Sequence, residues 1–139
     1  MTSTLTAGGH LAAAPSKGML YTGRGLSTLT ILFMLMDGVM KLVKPAPVLE
    51  ATQRLGFPLS ALTGIGMVLI ACTILYAIPR TSILGAILLT GYLGGAVATH
   101  VYARSSAFET IFPVLFGIIA WAGLWLRDTR LRAFLPLTN

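Results

Sequence analysis

Hydrophobic and polar positions along this chain fall into long blocks and do not alternate. Four apolar stretches, Gly25 to Leu42, Leu59 to Ile78, Ser82 to Tyr102 and Thr110 to Leu126, are separated by shorter polar segments. Each is close to the roughly 20 residues that a helix needs to cross the hydrocarbon core of a bilayer. Helices of a water-soluble bundle would each carry a polar face, and these lack one. Strands of a membrane barrel would alternate apolar and polar side chains, which these runs do not. The pattern predicts an all-α protein, a four-transmembrane-helix antiparallel bundle forming a single membrane domain over residues 25–127. Residues 1–24 are expected to be a mobile N-terminal tail, and residues 128–139 a C-terminal tail.

Boundary residues support that division. Pro58 opens the second span, where its missing N–H costs nothing, Pro79 closes it, and Thr81 or Ser82 is placed to cap the third. "SAFE", Ser106 to Glu109, has the spacing of a capping box at the start of the fourth. The connection between spans one and two is different in kind. In "KPAPVLEATQRLGFPLS", Val48, Thr52 and Leu55 share a helical face, Glu50 and Arg54 form an i,i+4 pair, and Gly56 can end the segment. It predicts a short interfacial helix between helices 1 and 2.

Composition agrees with a bilayer as the solvent. Of 139 residues, 55% are hydrophobic and 10% charged, with a mean hydropathy of +0.83, too little polar surface to cover a water-facing globule. The net charge of +6 is dispersed over the polar connections, which suits interfacial anchoring and excludes a nucleic-acid-binding face. The single cysteine, Cys72, excludes a disulfide framework or a zinc site within one chain. The cluster "LAAA" precedes the first apolar run, where a signal peptidase would need it to follow, so that run reads as a retained helix. Lys17, Arg24, Arg80, Arg127, Arg130 and Arg132 share one membrane side; Lys44, Arg54 and Arg104 share the other, with Lys41 at its border. That asymmetry places both termini in the cytoplasm.

Candidate chemistry gathers at one end. Spans one and three run in the same direction, so Asp37 and Lys41, late in the first, lie level with His100, late in the third, and Glu109 begins the fourth on that side. Ionisable groups within a bilayer face the bundle interior and pair, which makes Asp37 and His100 candidate catalytic groups and Lys41, Tyr92, His100 and Glu109 candidate ligand contacts. The competing reading has Lys41 reaching to the interface with Asp37 as its structural companion, and Glu109 confined to the capping box. Tyr92, Ala96 and His100 form one stripe of span three: a phenol, a gap and an imidazole. An apolar slot with such groups at its mouth suits a quinone. Haem is disfavoured, because the only other histidine, His10, lies in the tail. Gly91 and Gly95 form a GxxxG pair, whose favoured use is packing within the monomer and whose alternative is a homo-oligomeric contact.

The stretches "DGVMKL", "LGFP" and "RTSILGAILLTGYLGGAVATH" lie in this order within Leu26 to Leu126. They resemble signature stretches of DoxX-like integral membrane proteins, small four-helix prokaryotic proteins. The resemblance implies a four-helix fold. Some relatives are named for a quinone-reducing thiosulfate oxidoreductase, and others are linked to redox stress or to assembly of partner membrane proteins. Three functions follow as expectations. The first is a redox accessory subunit that binds a quinone or similar hydrophobic ligand and takes electrons from a partner. The second is an isomerase or hydrolase using Asp37 and His100 as an acid/base pair. The third is an assembly or interaction factor for a membrane protein.

Overall fold

The computed structural model describes residues 14–135. Among them the order is α1 (Lys17–Val43), α2 (Ala46–Arg54), α3 (Ala61–Ala77), α4 (Ser82–Tyr102), α5 (Ala107–Arg127) and α6 (Thr129–Phe134). Three helices, α1, α4 and α5, are long and apolar enough to cross a membrane, and α3 is a shorter apolar helix of 17 residues. Large apolar side chains are exposed all round the bundle, among them Leu32, Met36, Met67, Ile87, Ile111 and Ile118. A surface of that kind belongs in lipid.

α1 begins earlier than the apolar pattern suggests. Ser16 caps it by accepting from the Met19 N–H at 3.2 Å, so residues 17–24 are helical and are not part of a tail. The glycines near this start do not break the helix. A Cβ on Gly23 would lie 2.8 Å from Leu126 Cβ and 2.9 Å from the Gly123 carbonyl oxygen, so this glycine is where α1 crosses α5. His10 and the rest of residues 1–13 lie outside the described residues. At its other end, Lys44 takes a left-handed conformation (φ 57°) and returns its N–H to the Met40 carbonyl at 2.9 Å. Pro45 then starts α2, the expected short helix, which Gly56 (φ 77°) helps to end.

The remaining boundaries follow local chemistry. Thr81 does not cap α4 with its side chain; its hydroxyl donates back to the Leu75 carbonyl at 2.8 Å, and Ser82 donates to Pro79 O at 3.1 Å. Both hydroxyls therefore satisfy the carbonyl end of α3 and its turn. The capping box at α5 is complete: Glu109 N–H donates to Ser106 Oγ at 3.3 Å, and Ser106 N–H to Glu109 Oε2 at 3.0 Å. After α5 the expected tail is instead α6. Asp128 caps it through the Arg130 N–H at 2.9 Å, and Leu131 is buried, which anchors the short helix.

α1 packs against α3 and α5, and α4 packs against the same two from the opposite side, so α1 and α4 are diagonal. Met34, Leu69, Tyr76, Leu89, Phe116 and Leu124 form the centre. Glycines allow the tight approaches: Gly38 and Gly66 where α1 meets α3, and Gly85, whose place for a Cβ is taken by the backbone of Tyr76, where α4 meets α3. The GxxxG pair behaves differently. Nothing lies within 4 Å of a Cβ on Gly91 or Gly95, so the expected packing of this pair within the monomer does not occur.

Candidate functional site

Antiparallel connections bring the late turns of α1 and α4 to the same end of the bundle, where α2 and the start of α5 also lie. A cavity of about 500 Å³ opens there, lined by Asp37 and Lys41 from α1, Tyr92, Ala96 and His100 from α4, and Thr52 and Leu55 from α2. Diagonal helices cannot press together closely, so the space between these two stretches is open, whereas α1 with α3, α1 with α5 and α3 with α4 close on glycine.

Each polar group has a defined local setting. Lys41 Nζ donates to Asp37 Oδ2 at 2.5 Å, one helical turn away. Of the two side chains Lys41 is the less exposed, 19% against 38% for Asp37, so the ammonium turns back onto the carboxylate and does not reach out to the interface. His100 Nδ1 is paired with Ser105 Oγ at 3.1 Å, and the Ser105 N–H donates to the His100 carbonyl at 2.9 Å. With Nδ1 engaged, Nε2 is the ring nitrogen left for a ligand. Tyr92 is partly buried in the wall and adds a phenol. Glu109 is not part of this group. It is exposed, does not line the cavity, and its Oε2 also accepts from Ser106 Oγ at 3.0 Å, so the candidate ligand contact at this position is a helix cap.

The apolar side of the cavity is aromatic. Phe33 of α1 stacks on Phe116 of α5 with ring centroids 4.1 Å apart, and Phe112 meets Phe33 edge-on at 5.4 Å. Both geometries are favourable for aromatic pairs. Sequence reasoning missed these rings. Phe112 and Phe116 stand at i,i+4 spacing, which was a visible signal, but their pairing with Phe33 depends on α1 and α5 being neighbours. It also missed that Thr52 and Leu55 of α2, with Phe57 beyond it, line the cavity. The amphipathic face was legible and its target was not.

A second polar centre, at the opposite end, had no counterpart in the sequence reading. Tyr76 is fully buried; its hydroxyl donates to the Ala120 carbonyl at 2.7 Å and is 3.1 Å from Ser27 Oγ. The Arg127 guanidinium lies over the Tyr76 ring, 5.3 Å from its centroid, and donates to the Tyr76 carbonyl at 3.3 Å. These contacts join α1, α3 and α5 and serve cohesion, with Arg127 Nε left buried and without a partner among the described residues. Among the described residues, no group of three His, Cys, Asp or Glu side chains could hold a metal ion.

Chemically, the cavity offers an aromatic wall, an imidazole, a phenol and a neutralised ion pair, a set suited to an apolar ring with polar substituents. Fold and site together define a small helical integral membrane protein with a pocket at one end of its bundle. The sequence profile of the DoxX-like family matches residues 25–123, and the chain belongs to that family. No curated protein and no solved structure matches the chain.

Proposed function

We propose that this DoxX-like protein holds a hydrophobic ring-bearing molecule of the quinone class in the cavity between α1 and α4, as an accessory to a redox partner. The observation that carries this reading is the sharing of one cavity of about 500 Å³ by Asp37, Lys41, Tyr92 and His100 opposite a phenylalanine wall. That volume lies within the roughly 300–1,000 Å³ of small-molecule sites. A quinone ring would pack against Phe33 and Phe112, and its carbonyl oxygens would accept from the Tyr92 hydroxyl and the His100 Nε2–H. The chain supplies binding groups and a titratable imidazole, and electrons come from a partner protein. The setting proposed is a prokaryotic inner membrane with both termini cytoplasmic.

Extraction of quinone from purified protein tests the reading. Native protein is expected to carry quinone, and His100→Ala or Tyr92→Phe to lose at least about tenfold in retention, the effect of roughly one charge-assisted or buried hydrogen bond. Equal quinone content in native protein and both variants would sink it.

The acid/base reading is less well supported, because Asp37 is ion-paired with Lys41 and not with His100. A specific observation favours the assembly reading as the alternative: Gly91, Gly94 and Gly95 are exposed on α4 with open space where a side chain would stand. A helix of another membrane protein could approach closely there. Under that reading Gly94→Leu, which lies outside the lining of the cavity, abolishes a co-purifying partner and leaves quinone content unchanged.

A further inference from the structure

At the end of the bundle opposite the cavity, α5 and α6 meet in a corner rich in cations and short of acceptors. The Arg132 guanidinium lies over the Trp125 ring, 5.9 Å from its centroid. Trp125 Nε1, Arg132 Nε and Arg132 Nη2 are buried without a hydrogen-bond partner among the described residues. A donor in that state destabilises the fold until an acceptor reaches it. Asp128, the neighbouring carboxylate in sequence, is already engaged by Arg130 Nε at 3.2 Å and Nη2 at 3.0 Å. The other three acidic residues, Asp37, Glu50 and Glu109, belong to the far end of the bundle.

From this corner a groove of about 660 Å³ runs between α4 and α5. Gly94 and Val97 of α4 face Gly117, Trp121 and Trp125 of α5 across it, and Leu131 of α6 closes the end near Arg132. It follows α5 from Trp125 back to Pro113, about 18 Å at a rise of 1.5 Å per residue. Its one hydroxyl is satisfied: Thr90 Oγ1 accepts from Trp121 Nε1 at 2.8 Å and donates to the Ala86 carbonyl at 2.8 Å. The groove is thus apolar and elongated along the bundle axis, and its Trp125 end adjoins Arg132, whose guanidinium lies over that ring.

We propose that this groove and corner form a binding site for an anionic phospholipid, with one acyl chain along α4 and α5 and the phosphodiester accepting from Arg132 and Trp125 Nε1. The apolar slot alone would take any chain, and the donors alone any anion. An anionic lipid at the membrane interface satisfies both at once, and cationic side chains near a bilayer surface attract such lipids. The site shares no residue with the ion pair, tyrosine or histidine of the quinone proposal, so either can fail without the other.

Trp121 and Trp125 are the only tryptophans in the chain and both line the groove, so their emission reports its occupant. The full chain is reconstituted in phosphatidylcholine vesicles into which phosphatidylglycerol or phosphatidylcholine with brominated acyl chains is introduced. Brominated phosphatidylglycerol is expected to quench with a relative association about fivefold higher, the effect of one cation near the surface. Arg132→Gln brings the two curves together while quenching by brominated phosphatidylcholine stays at the native level, and Arg132→Lys keeps the preference. Gly94→Leu fills the groove and weakens quenching by both lipids, whereas Arg104→Gln, at the far end, changes neither. Equal quenching by both lipids in the native protein, or a preference that survives Arg132→Gln, overturns the site. Loss of the preference on adding millimolar inorganic phosphate would assign the corner to a free anion and overturn the lipid.

Discussion

Asp37 and Lys41 show how a hydrophobic helix accommodates charge at the scale of single residues. An unpaired Asp at the centre of a membrane helix costs about 2.5–3.5 kcal/mol on insertion scales, and the Lys41 ammonium one turn away offsets much of that. Because both groups retain some exposure, Lys41→Met is expected to destabilise the protein by only about 2 kcal/mol, below the cost of breaking a fully buried pair. Removing both charges, as Asp37→Leu with Lys41→Met, restores most of that stability. Reversible unfolding in mixed micelles measures the difference, and a double variant no more stable than the single one would show that the pair is not the unit. Tyr76 follows the same logic with neutral groups. Tyr76→Phe removes the bond to the Ala120 carbonyl and the contact with Ser27 and is expected to lose about 1 kcal/mol, read in the same unfolding assay.

Between elements, glycine decides which helices close on each other. Gly85→Ala would drive a methyl group into the Tyr76 backbone at the α3–α4 crossing, whereas Gly91→Ala on the same helix meets open space. The first is expected to cost about 3 kcal/mol or more and the second well under 1 kcal/mol, a contrast visible in thermal unfolding. α6 adds a pH-dependent element. Burial alone would raise the Asp128 carboxyl, but the Arg130 side chain and backbone hold it below the ordinary carboxylate value. Its contribution is therefore complete above about pH 4, the unfolded value, and is lost as the pH falls through the lowered folded one. Acidification should release α6 and shift Trp125 emission, and Asp128→Ala should reproduce that shift at neutral pH at a cost of about 1 kcal/mol. Emission unchanged in both cases would mean that Leu131 alone anchors the helix. The element ends also show what sequence can convey. Ser106 with Glu109 was legible because a capping box is written within four residues. The starts of α1 and α6 were not, because an N-cap Ser16 followed by two glycines reads as loop until Gly23 meets Gly123, and Leu131 reads as tail until it packs near Trp125.

For the whole molecule, antiparallel connection of four spans is enough to bring Asp37, Lys41 and His100 level, which is why the polar end was legible from order alone. The diagonal placement of α1 and α4 was not, since it depends on which helices touch; the phenylalanine wall and the contribution of α2 were hidden with it. The same topology divides the basic residues. Lys17, Arg24, Arg80, Arg127, Arg130 and Arg132 stand at the end of the bundle that carries both termini of the described chain, and Lys44, Arg54 and Arg104 at the end that carries the cavity. Translocation disfavours the more basic side, which supports the proposed cytoplasmic placement of the termini; under that proposal the cavity faces outward. The only native cysteine, Cys72, is buried in the core, which leaves the background for thiol labelling low. Arg104→Cys in whole cells should therefore react with a membrane-impermeant maleimide, and Arg80→Cys only after permeabilisation. The reverse pattern would put the Asp37 and His100 end in the cytoplasm, and a ligand of the cavity would then have to reach it from that side.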